Sequence, residues 1–236
     1  MQKLALTAGI SLLCSLVISQ PVKAANFTFS PTVTFEVIDG GFSGEFDGLG
    51  DEVFPNNFDT VVLGAQGESA EFAEFDLAEF SLPPLQVITS AIFQAEIYSI
   101  QTSGLGAAFG IPPRSLGVFG YVGNGEVNAS ALQAGTLLNT IDTSTVIGGE
   151  IITFDVTSFV QNLVSNGDRF VGLAIRAQDP GALTLGGANF PGITPQLIIT
   201  TAPITSSVPE SANVFSLLGF GVLGLGRVIL KRSIRR

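Results

Sequence analysis

The sequence predicts an all-β domain, a β-sandwich or jelly roll with one short helix. A separate N-terminal signal and a separate C-terminal transmembrane helix flank it. Three observations predict this. Apolar and polar residues alternate with period two through most of residues 25–205, as half-buried strands require. Turns rich in glycine and asparagine separate those runs. Both chain ends carry apolar runs without alternation and with basic neighbours. Many short strands with glycine-rich turns and one helix favour a sandwich over an α/β fold.

From the N-terminus, Lys3 supplies a positive n-region, Leu4 to Ile18 an apolar h-region, and Val22-Lys23-Ala24 a small-residue cleavage site. This is the pattern of a signal peptide over residues 1–24, cut after Ala24; the alternative is an uncleaved anchor. Cys14 lies inside the h-region and leaves with it, so the mature chain has no thiol for a disulfide. Histidine is absent from the whole chain, which removes the commonest neutral metal ligand and general base.

Strands are expected over residues 32–38, 61–63, 71–76, 87–100, 116–122, 145–154, 170–176, 182–185 and 196–201. In the longest, Ala91, Phe93, Ala95 and Ile97 face one way while Gln94, Glu96 and Tyr98 face the other. In Glu71-Phe72-Ala73-Glu74-Phe75-Asp76 the alternation is imperfect, which suggests a bulge. Residues 155–164 break the pattern. Val156, Phe159, Val160 and Leu163 make a helical stripe, Asp155 or Thr157 can cap it, and Asn166-Gly167 ends it. The phenylalanines are expected first as core.

Residues 206–236 form the third region, with a hydrophobic helix expected over 212–230. The clean apolar run from Ala212 to Gly226 is 15 residues, and extension to Leu230 makes 19, close to the ~20 that span a bilayer. Arg227 can snorkel, and Lys231, Arg232, Arg235 and Arg236 would flank the cytoplasmic side. The alternative is a buried helix packed on the domain.

Val208-Pro209-Glu210-Ser211, the glycine-rich apolar run and the arginine-rich end together resemble the PEP-CTERM sorting signal of exported bacterial proteins. Ser211 stands where that motif has its second proline. The resemblance implies an exosortase-like membrane protease as processing partner, passage through the membrane on the C-terminal helix, and an exported location at the cell surface or in exopolysaccharide, anchored transiently or permanently. Residues 151–176 and 192–200 resemble the end of DNRLRE-type β-sandwich domains, with their Asp-Val-Thr turn into a helix, Asn-Gly turn and terminal strand. That resemblance implies a surface protein, in one branch a carbohydrate binder, and carries over no binding residues.

Between the terminal regions the charge is one-sided. Residues 25–205 hold 19 acidic residues against three basic ones, Arg114, Arg169 and Arg176, a balance of −16. Such a surface repels nucleic acid and other polyanions. Residues 36–79 contain 12 of those acids and no base. Asp47, Asp51 and Glu52 lie closest together in an apparent loop and are the candidate ligands for a structural calcium; Asp168 and Asp179 are a second choice, and a plain solvated acidic face is the alternative. Phe42, Phe46, Phe54 and Phe58 recur through the same stretch, either as rings offered to a sugar or partner or as anchors of a long loop.

No P-loop, zinc pattern or nucleophile–base pair is present. With so many acids, a pair at glycosidase spacing is unavoidable and carries no weight. The expected function is therefore a non-catalytic structural or matrix protein, with no catalytic residue assigned. A carbohydrate-binding module, possibly dependent on calcium, is the alternative, and a polysaccharide hydrolase comes third.

Overall fold

Twelve strands and one α-helix lie among the described residues of the domain. The computed structural model describes residues 23–40, 50–58, 60–64, 67–100, 112–187 and 192–204. The chain divides into two units after Pro203, and all twelve strands and the helix lie in the first. In order they are β1 (Ala25–Phe29), β2 (Val33–Gly40), β3 (Glu52–Pro55), β4 (Thr60–Gly64), β5 (Gly67–Asp76), β6 (Gln86–Ile100), β7 (Ser115–Val122), β8 (Thr136–Asp142), β9 (Ile151–Asp155), α1 (Thr157–Asn166), β10 (Phe170–Ala177), β11 (Gly181–Leu185) and β12 (Gln196–Pro203). A single 3-10 turn, Ala129–Gln133, lies between β7 and β8.

The strands join into one hydrogen-bonded network, in the order β1-β12-β6-β11-β4-β5-β10-β7-β8, with β2, β3 and β9 as side branches. The two layers of the network are linked by a shared strand. The reason is the length of β6. Residues 86–94 pair with β12 and residues 92–96 with β9, while residues 97–100 pair with β11 in the other layer. One strand thus belongs to both layers and folds the network over on itself. The inner faces meet around Phe75 of β5 and Phe93 of β6, edge to face at 6.0 Å, and Phe154 of β9 lies 6.2 Å beyond.

Ala91, Phe93, Ala95 and Ile97 are all fully buried, as the alternation of β6 requires. The helical stripe is also where expected: Val156, Val160 and Leu163 are buried in the same core. Capping differs in detail. Asp155 Oδ1 accepts the Thr157 amide at 2.9 Å from just outside the helix, while Thr157 Oγ1 accepts the Ala91 amide at 2.8 Å and ties α1 to β6. Gly167 ends the helix at φ 78°, a left-handed conformation that glycine adopts without strain.

Three expectations for strands are corrected. Residues 145–154 are not one strand; β9 starts only at Ile151, after a turn, and β8 lies upstream at Thr136–Asp142. β1, β3 and β8 lie outside the expected set. The irregular stretch in β5 is not a bulge, because its pairing with β10 runs without a shift from Asp76 to Glu71. Its alternation is imperfect because both faces are covered. Ala73 and Phe75 enter the core between the layers, whereas Ala70 and Phe72 enter a second, outer core.

The expected fold class is also corrected at its ends. Among the described residues no helix is long and apolar enough to cross a membrane. α1 has 10 residues, about 15 Å at 1.5 Å per residue, half of a ~30 Å hydrocarbon core. The fold class is thus mostly β with one helix. The expected transmembrane helix 212–230 is not among these elements, so the expected anchored surface location, the membrane as partner and the exosortase-like protease find no membrane-spanning helix in the described structure. Residues 1–22 and 205–236, which carry the leader and tail motifs, lie outside the described residues.

Candidate functional site

The residues singled out from sequence do not converge. Val208, Pro209, Glu210, Ser211, Arg227, Lys231, Arg232, Arg235 and Arg236 lie outside the described residues, as does Asp47. Ala24 is exposed and extended just before β1, and the Lys23 carbonyl beside it accepts the Gln86 side-chain amide at 3.0 Å. Asp51 Oδ2 accepts the Gly40 amide at 2.9 Å, and Glu52 stands exposed on β3. Glu52 is therefore a strand residue and not part of a wrapping loop. Among the described residues no group of three or more carboxylate, Cys or His side chains is placed to hold a metal ion. Asp179 clamps a turn, accepting the Ser115 amide and hydroxyl at 3.0 and 2.9 Å. Of the four recurring rings, Phe42 and Phe46 lie outside the described residues, Phe54 is 40% exposed and Phe58 is 1% exposed.

What the structure does bring together is a polar fastening on the outer face of β2, β5, β10 and β7. Strand register sets two rows across these strands: Phe35, Phe72, Ala174 and Phe119, and beside it Val33, Glu74, Gly172 and Tyr121. Small residues on β10 make the room. A Cβ at Gly172 would lie 2.5 Å from the Tyr121 ring. Phe35 and Phe72 stack at 4.8 Å, 5° from parallel, and the 123–135 loop covers them with Ala131 and Leu132.

Two charged side chains hold that loop down. Glu74 Oε2 accepts the Asn124 and Gly125 amides at 3.1 and 2.6 Å. Arg176 Nη2 donates to the Ala131 and Ala134 carbonyls at 3.2 and 2.6 Å, and its guanidinium lies 4.4 Å from the Phe119 ring centre. Burial lowers the affinity of Arg176 for its proton, with Glu68 and Tyr121 pulling the other way. Burial also pushes up the Glu68 carboxyl, opposed by Arg176. Tyr121 is pushed far above the usual phenol value, first by burial and then by the Glu74 carboxylate.

On the opposite face, Glu36 of β2 and Glu71 of β5 are cross-strand neighbours, and both are buried. Asn57 Nδ2 donates to Glu36 Oε2 at 2.8 Å. Glu71 is 0% exposed. Sequence reasoning passed over this pair. Its only signal was acids at inward positions of alternating strands.

A groove of about 260 Å³ lies where the β1–β2 turn, the segment after β3 and the segments flanking β12 and β11 meet. Thr32, Thr34, Asn56, Phe58, Thr194 and Pro195 line it. Gly187 closes one end, where a Cβ would lie 2.0 Å from the Phe58 carbonyl oxygen. Among the described residues of its lining none carries a titratable side chain. Comparison with protein-family models and with curated proteins found no match for the chain.

Proposed function

We propose that this chain is a non-catalytic structural or matrix protein, whose β domain works through its folded body and surface instead of turning over a substrate. One observation carries the reading: Arg176, Glu74 and Asp179 use their charge on the chain's own backbone. Arg176 holds two carbonyls, Glu74 two amides, and Asp179 the start of β7. A general acid or base must instead reach a substrate atom within hydrogen-bond distance. The resemblance of residues 208–236 to PEP-CTERM signals supports an exopolysaccharide-rich matrix as the material.

The test is turnover. Full-length protein incubated with a panel of neutral and acidic polysaccharides and model esters is expected to release no product above the blank. Product release that disappears in Glu71→Gln or Glu36→Gln would replace this reading with a hydrolase built on the buried pair.

A further inference from the structure

The loop that covers the outer core holds an Asn-Gly pair, Asn124-Gly125, one of two in the chain; the other, Asn166-Gly167, ends α1. An asparagine followed by glycine can react with its own backbone. The glycine nitrogen attacks the asparagine Cγ, a C–N bond forms, and the side-chain nitrogen leaves as ammonia. Water then opens the resulting succinimide to aspartate or isoaspartate. Two groups speed the ring closure: a base that takes the proton of the attacking nitrogen, and a donor on the carbonyl oxygen under attack.

Both are in place at Asn124. Glu74 Oε2 accepts the Gly125 amide at 2.6 Å, within the ~2.6–3.2 Å reach of a general base. Asn124 Oδ1 accepts the Glu126 amide at 3.0 Å, which polarises the carbonyl towards attack. The fold itself requires the glycine: Gly125 sits at φ 79°, and a Cβ there would lie 2.9 Å from the Phe170 ring. Asn124 is exposed, so water reaches it. At Asn166 the surroundings differ. The Gly167 amide donates to the Leu163 and Val164 carbonyls, and a peptide carbonyl takes up no proton at neutral pH. The Asn166 side chain donates to Asn162 Oδ1 at 3.4 Å.

We infer that Asn124 is a self-modification site, closed by the Gly125 nitrogen with Glu74 as its base, and that the product unfastens the 123–135 loop. Glu74 passes the Gly125 proton to the leaving nitrogen. Water is the one co-reactant, so asparagine and water give aspartate or isoaspartate and ammonium. Before reaction, Glu74 Oε2 gathers the Asn124 and Gly125 amides on one oxygen, at 3.1 and 2.6 Å. Isoaspartate routes the main chain through the side chain and adds an atom between those amides, so they no longer converge. Aspartate brings a second carboxylate towards Glu74, and like charges repel. Either change weakens the fastening of the cover over the stacked Phe35 and Phe72. The inference goes beyond the structural reading, since the chain alters itself and turns over no external substrate.

Full-length protein held at neutral pH and sampled over weeks tests it by peptide mass mapping, which separates asparagine, aspartate and isoaspartate at each position. Asn124 is expected to convert faster than Asn166 in the same sample. Glu74→Gln is expected to slow Asn124 about tenfold and to leave Asn166 unchanged. That factor is below the ~10²–10⁴ of a positioned base because a backbone amide is a very weak acid. Limited proteolysis is expected to cut within residues 123–135 faster in aged protein than in fresh. Asn124→Gln, whose longer side chain closes a ring far more slowly, is expected to keep the fresh rate. The inference is overturned if Asn166 converts as fast as Asn124, if Glu74→Gln leaves Asn124 unchanged or faster, or if ageing does not change cleavage of the loop. The first and last of these readouts use the parent chain and stand even where Glu74→Gln alters folding.

Discussion

The space between the two layers and the patch beneath the 123–135 loop bury aromatic rings in different company. Between the layers, Phe75, Phe93 and Phe154 sit among aliphatic side chains from β6, β9, β10 and β12, and hydrogen-bonded strands together with α1 supply the walls. On the outer face, Phe35 and Phe72 are covered only by a loop with a single 3-10 turn, so charged side chains must hold the cover in place. The contrast teaches that a strand-built wall needs only apolar area, whereas a loop-built wall exposes amides and carbonyls that must find partners. Glu74 and Arg176 are those partners.

The sharpest way to break this comparison is to cut into each core. Phe93→Ala is expected to cost about 3–5 kcal/mol of global stability, read as a lower denaturant midpoint with the same slope. Leu132→Ala is expected to cost about 2 kcal/mol, at the low end of the range because a loop collapses into the space more readily than a strand. Hydrogen exchange should then rise within residues 123–135 before it rises elsewhere. Equal losses, with exchange rising uniformly, would mean that the two cores open as one unit.

Next in size is the clamp. Arg176→Met removes the donor to the Ala131 and Ala134 carbonyls, and is expected to cost about 2 kcal/mol, the scale of a charged hydrogen bond. Limited proteolysis should cleave first within residues 123–135. Cleavage at the same rate and sites as in the parent protein would show that apolar packing alone holds the loop.

The smallest effect concerns α1, packed against the layered core. Asp155 is held below the ordinary aspartate value of 3.8, first by the Thr157 side chain and then by the Thr157 amide. Because the folded pKa is the lower one, the contribution is complete above 3.8 and is lost as pH falls through the folded value. Asp155→Asn keeps an acceptor but does not titrate. Its melting temperature should therefore follow the parent's above about pH 4 and fall less steeply below. Parallel curves down to pH 2 would remove Asp155 from the acid response.

The layered core was largely legible. The run of Ala91, Phe93, Ala95 and Ile97 announced its inward face by period alone, and Val156, Val160 and Leu163 announced a helix by theirs. The outer core was not. Phe72 broke the alternation of β5 and suggested a bulge, because period-two reasoning presumes one buried face and one wet one. β3 was hidden for a related reason: Glu52 to Pro55 sits in an acidic stretch whose composition favours a loop, and its pairing with β2 overrides that preference. The groove gave no signal, since its lining residues come from four separated segments and meet only in the fold.

The amino-acid sequence by itself determined the β-rich character of the domain, the position of its one helix and the excess of negative charge, because these depend on local periodicity and on counting. Tertiary structure alone decided that β6 joins both layers, that Phe72 and Phe75 serve opposite cores, and which acids fasten backbone. Those outcomes depend on strand register and on which loop covers which face. Register brings together residues far apart in the chain, and no local pattern of residues encodes it.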